Sequence, residues 1–199
     1  MAATFDLPLI QGQDFTATFN WYVGGVFRGI CEDIRTGYPT KIKCTGHGLP
    51  DISDTPLMIS DARGTENIER LNSTDLKVYK AERVDDDWFH LPINTYGSQW
   101  EQGTGAITYH KPLDLTTYTA VCHLRHRWFD DNYIVELTTE NGGITLRAED
   151  AMIQLHIDAA TTATFNFKKC LYDVDLISGT GTKHTPFRGQ LNLIREATR

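Results

Sequence analysis

The feature that most constrains this chain is a two-residue rhythm. Apolar and polar residues alternate in short runs, and glycine and proline cut the runs apart. In Phe15-Thr16-Ala17-Thr18-Phe19-Asn20-Trp21, alternation predicts a strand with Phe15, Ala17, Phe19 and Trp21 on one face. Gly24-Gly25 follows, and Val26-Phe27-Arg28-Gly29-Ile30 reads as the return arm of a hairpin, because paired glycines supply the positive φ of a tight turn.

Similar runs occupy Thr40–Cys44, Leu57–Ile59, Lys77–Ala81, Trp88–Leu91 and Gly105–Tyr109, separated by loops at Gly46, Gly48-Leu49-Pro50, Gly64 and Gly103. A third series covers Tyr118–Arg125, Ile134–Leu137, Gly143–Leu146, Met152–Ile157, Cys170–Ile177 and Phe187–Ile194. Many short strands with turns between them predict an all-β sandwich or barrel. The one helical window is Asp158–Thr164, about two turns, suited to a short connector.

Charge and composition exclude several classes. The formal net charge of −7 argues against nucleic acid as a partner, since a phosphate binder needs clustered Lys and Arg. The one basic cluster, His123, Arg125, His126 and Arg127, is followed at once by Asp130 and Asp131. Apolar runs stop after a few residues, against the roughly 20 of a membrane-spanning helix, so a soluble protein without a membrane partner is expected. The N-terminal residues show no basic segment leading into an apolar run, so no secretory signal is expected. Cys31, Cys44, Cys122 and Cys170 lack metal-ligand spacing and read as small buried hydrophobes in a reducing compartment.

No catalytic constellation emerges, and no cofactor or metal is expected. His47, between two glycines, reads as a turn residue capping backbone groups. His123 and His126 are three apart, which on a strand points them to opposite faces. Asp130-Asp131 are adjacent, whereas glycoside hydrolysis needs carboxyls facing each other across a cleft. Asp85-Asp86-Asp87 reads as a solvated turn without the glycine and distal glutamate of a calcium loop. Among the aromatics, Trp21 and Trp88 are expected in cores, while Trp100, Trp128 and Phe129 are the candidate contact residues because they neighbour loops.

Two stretches resemble known families. Residues 4–22, with the Gln11-Gly12 turn and the alternating strand after it, resemble the opening of a bacteriophage virion module. Pro112-Leu113-Asp114-Leu115-Thr116-Thr117-Tyr118-Thr119-Ala120 is similar to that family's "Pro-x-Asp-Leu-Thr-Gly-Tyr-Thr-Ala" segment, with Thr117 in place of its glycine. Tyr172-Asp173-Val174-Asp175-Leu176 through Thr198-Arg199 resembles its closing strands.

Between these parts, Thr45-Gly46-His47-Gly48-Leu49-Pro50, Pro56–Gly64, Glu69–Asn72, Lys77–Tyr79, Trp88–Leu91, Tyr96-Gly97 and Trp100–Ile107 resemble small barrel modules of phage tail and fibre proteins. Those modules are similar to a β-barrel half-domain first named in ubiquitin-activating enzymes, the first-catalytic-cysteine half-domain, and imply no chemistry here.

The resemblance implies a β-sandwich-like module, residues 1–36 plus 111–199, interrupted by an inserted small β-barrel module, residues 37–110. It implies a non-enzymatic structural component of a phage particle, assembled in the host cytoplasm, in the tail, baseplate or fibre-attachment region. Its partners would be other virion proteins in a symmetric, multi-copy arrangement, with edge strands such as 187–194, together with the terminal residues 195–199, adding to a neighbour's sheet. The alternatives are a capsid decoration or head-fibre protein, and a host-glycan-binding module.

Overall fold

The computed structural model describes residues 2–51, 55–73 and 78–195. Lys77 and residues 196–199, which carry parts of the expected strands, lie outside the described residues. Along the chain come β1 (Ala3–Thr4), β2 (Leu7–Ile10), β3 (Phe15–Asn20), β4 (Val26–Ile30), β5 (Asp33–Arg35), β6 (Thr40–Lys43) and β7 (Thr55–Ser60). The helix α1 (Glu66–Glu69), β8 (Tyr79–Arg83), β9 (Trp88–Leu91), β10 (Ala106–His110), β11 (Thr119–Arg125) and β12 (Val135–Thr138) follow. The chain closes with β13 (Ile144–Arg147), β14 (Met152–Ile157), the helix α2 (Ala159–Ala163), β15 (Lys169–Ile177) and β16 (Lys183–Ile194). The fold is all-β, 47% strand and 5% helix. It divides into two compact units, Met1–Trp21 with Asp114–Arg199, and Tyr22–Leu113.

The first unit is a sandwich of two sheets. One has the order β1–β16–β15–β11–β12, with β2 also on β16, and the other is β13–β14–β3. Alternation assigns the inner faces: Ala120, Cys122 and Leu124 on β11, Cys170, Tyr172 and Val174 on β15, and Ile153, Leu155 and Ile157 on β14 are all buried. Phe19 of one sheet stacks on Phe187 of the other at 4.7 Å, with Phe5 beside both. β1 and β2 run parallel to successive parts of β16. At Gly189 a Cβ would stand 1.8 Å from the Phe5 carbonyl oxygen, so only glycine lets this N-terminal segment lie against β16. The Tyr172 hydroxyl, entering from β15, donates to that same oxygen at 2.9 Å. α2 occupies part of the expected helical window, and Asp158 caps it by accepting from the Thr161 N–H at 2.7 Å.

The second unit is one antiparallel sheet of order β4–β10–β7–β8–β9–β6–β5. Its two terminal strands are consecutive pieces of chain. The changeover occurs at Cys31, whose N–H donates to the Gly105 carbonyl on one side, while the Glu32 N–H donates to the Lys43 carbonyl on the other. The sheet therefore curls into a small barrel around Ile42, Leu57, Ile59, Phe89, Leu91 and Ile107, all fully buried.

Three expectations change. β3 and β4 do not form a hairpin: β3 pairs with β14 and β4 with β10. Gly24-Gly25 is instead the stem where the chain enters the barrel unit. The Gly24 N–H donates to the Lys111 carbonyl, the Lys111 N–H donates to the Gly25 carbonyl, and a Cβ on Gly24 would stand 2.3 Å from the Pro112 oxygen. Residues 22–36, expected with the sandwich, accordingly fold with the barrel, because β4 and β5 are its strands. Finally, β16, expected at an edge, lies inside its sheet between β15 and the pair β1 and β2.

Candidate contact surface

The loop joining β11 to β12 displays the most exposed aromatic groups of the sandwich unit. Arg127 and Asp130 clasp each other in a tight turn: the Asp130 carboxylate accepts from the Arg127 N–H at 3.0 Å, and the Asp130 N–H donates to the Arg127 carbonyl at 3.2 Å. A short aspartate side chain that accepts from a nearby backbone N–H favours such turns. The two residues between them, Trp128 and Phe129, are thrown outward, 44% and 97% exposed. The turn is anchored at its base, where the Ile134 N–H donates to the Leu124 carbonyl and β11 pairs with β12.

Around the two rings lies an open recess of about 370 Å³, lined by His126, Arg127, Lys169, Cys170, Leu171 and Gln190 as well as the aromatics. The Arg188 guanidinium stands 5.9 Å from the Trp128 ring centre, at the outer limit of a cation–π contact. Tyr133, also exposed, stacks on His123 at 5.0 Å, and the His123 Nε2 lies 2.8 Å from Glu136. An apolar tip with a cationic rim thus stands out on an acidic chain. Its strand-borne members, Lys169, Gln190 and Arg188, come from β15 and β16 and were not singled out by sequence reasoning. No sequence signal ties them to the loop, since only strand pairing brings them there.

Trp100 belongs to the other unit. Its indole N–H donates to the Thr104 carbonyl at 3.2 Å, and the ring packs against the barrel core. Its exposed part borders an open recess of about 790 Å³ with Glu32, Asp33, Arg35, Lys43, Trp88 and Gln102. Trp88, expected in a core, is half-buried: Phe89 and Leu91 take the inward positions of β9, so Trp88 faces out and carries the Arg35 guanidinium 4.2 Å above its ring. Trp21 is also only half-buried, edge-on to His184.

His47 is fully buried and acts on the backbone, its Nδ1 accepting from the Leu49 N–H at 3.0 Å. Burial pushes its pKa down, so the ring is neutral near pH 7. Asp85 caps the Asp85–Trp88 turn by accepting from the N–H groups of Asp87 and Trp88, which holds its carboxyl below the usual range. Asp114 likewise accepts from Thr116, as its place in a turn predicts. The four cysteines are buried free thiols, and burial pushes Cys31 up to about 12 and Cys44 to about 11. Among the described residues no group of three or more His, Cys, Asp or Glu is arranged to hold a metal ion, and no helix is long and apolar enough to cross a membrane.

No protein-family model matches the chain. No curated protein matches it at a significant level.

Proposed function

We propose that this chain is a non-enzymatic structural component of a bacteriophage particle, in the tail, baseplate or fibre-attachment region, that makes stoichiometric contacts with other virion proteins. The observation that carries a contact role is the Trp128–Phe129 turn. Leaving an almost fully exposed phenylalanine beside a tryptophan, on a turn clasped by Asp130 and rooted in a sheet, costs solubility unless a partner covers it. Aromatic and arginine side chains on a rigid support are the usual anchors of protein–protein interfaces. The virion address is supported by the resemblance of residues 4–22, 112–120 and 172–176 to the phage module, and by a two-unit layout in which a barrel interrupts a sandwich.

The deciding experiment is structural analysis of intact particles carrying this protein. Six- or twelve-fold positions about the tail axis support the proposal, with density for a neighbour over Phe129. Capsid-symmetry positions would move the chain to the head, and absence from the particle would end the virion reading. Binding of the purified chain to host glycans, lost in Trp128→Ala, would replace it with a receptor-binding role.

A further inference from the structure

Among the described residues β3 has a strand partner on one side only, β14, and the hydrogen-bond pattern shows which of its backbone groups face away from that partner. The Trp21 N–H donates to the Ala151 carbonyl, and Phe19, Ala17 and Phe15 lie opposite Ile153, Leu155 and Ile157. In an antiparallel ladder only alternate residues bond to a given neighbour. Phe15, Ala17 and Phe19 therefore turn their backbone toward β14, and Thr16, Thr18 and Asn20 turn theirs away from it. The His156 N–H, bonded to the Gly143 carbonyl on the opposite side of β14, fits the same phase.

Proteins usually blunt such edges with charge, proline or shortness. The other edge strands described in this unit follow that rule. β1 has two residues, β2 carries Pro8, β12 carries Glu136 and β13 carries Arg147. β3, Phe-Thr-Ala-Thr-Phe-Asn, has no charge, proline or glycine over six residues. Asp14, just before it, has its carboxylate engaged by the Ala159 N–H. The strand also borders an apolar recess of about 310 Å³ against Leu7, Pro8 and Ile10.

We propose that β3 is a self-association edge, at which two copies of this chain pair antiparallel about a two-fold axis through Thr18. The sequence is self-complementary in that register. Thr18 meets Thr18 of the second copy, and Thr16 meets Asn20, so the three outward-facing residues exchange backbone hydrogen bonds in pairs. On the inner face Ala17 meets Phe19, small against large, and no like charges oppose each other. The pairing joins the three-stranded sheets of two copies into one. It is independent of the virion reading, because it follows from the edge alone.

Thr18→Cys tests it in the purified full-length chain. Paired residues of this type have Cα atoms about 5.5 Å apart, within disulfide range, and the native cysteines are all buried. Mild oxidation is expected to give a covalent species of twice the 22.5 kDa chain mass, whereas Thr180→Cys, on an exposed turn, gives none. The unmodified chain is expected to sediment as a dimer, and Thr18→Lys, which sets two ammonium groups against each other, returns the monomer mass with an unchanged near-ultraviolet dichroism spectrum. A monomer at every concentration, a Thr18→Cys chain that does not cross-link, or a dimer untouched by Thr18→Lys overturns self-pairing. A monomer found in virions with a foreign strand on β3 would also overturn it, while leaving the virion reading intact.

Discussion

Asp150 shows how one side chain fixes a corner of the sandwich. It is only 2% exposed, in the loop between β13 and β14. The Arg147 guanidinium donates to both of its oxygens, and the Asn20 amide adds a further bond from β3. The Arg147 hydrogen bond is the main reason its pKa lies below the ordinary carboxylate value. A lowered folded-state pKa contributes stability above the unfolded value, and that contribution is lost as pH falls through the folded value. Asp150→Asn is therefore expected to cost about 2 kcal/mol at pH 7, with the gap to the parent narrowing below about pH 4. Urea denaturation at the two pH values measures it, and an equal gap at both would refute the assignment. Gly189→Ala drives a methyl into the Phe5 carbonyl and is expected to cost about 3 kcal/mol, read as a fall in the urea midpoint.

At the scale of elements, the β11–β12 loop separates display from support. Phe129, 97% exposed, touches little of the core, so Phe129→Ala is expected to change stability by under about 0.5 kcal/mol while reducing incorporation into particles. A calorimetric melt and a count of copies per particle check the two halves. Leu124→Ala, two residues from the same loop but buried on β11, is expected to cost about 3 kcal/mol instead.

Most of the strands are legible in the sequence. Alternation located most strands, because a half-buried strand must present every second residue to the core. It does not name their partners, since a period of two fits any neighbour, and Gly24-Gly25 between two alternating runs has the same local pattern whether it turns a hairpin or enters another unit. In Trp88-Phe89-His90-Leu91 the phase is ambiguous, because apolar residues fall on both faces and alternation alone does not choose between Trp88 and Phe89 as the inward residue. Trp128 and Phe129 were legible as exposed because polar residues follow them, whereas the cationic rim from β15 and β16 depends on pairing that no local pattern encodes.

At the scale of the whole chain, the barrel unit begins and ends side by side. Gly24 and Gly25 are hydrogen-bonded to Lys111, and the barrel closes on itself through the bend at Cys31. Each unit has its own core. Residues 22–113 expressed alone are expected to fold, with strand-type dichroism and a cooperative melt. Replacing them with a short Gly-Ser linker between Trp21 and Asp114 is expected to leave the sandwich folded. Failure of both pieces would show that neither core suffices alone.

The parallel pairing of β1 and β2 with β16 also decides how this chain bears load. Tension applied at the first and last described residues pulls these strands along their lengths in opposite directions. Every hydrogen bond between β2 and β16 is then sheared together, rather than unzipped singly. The stretch from β3 to β15 is bypassed by that load, so tension between residues 2 and 195 is expected to be resisted first by the β2–β16 ladder.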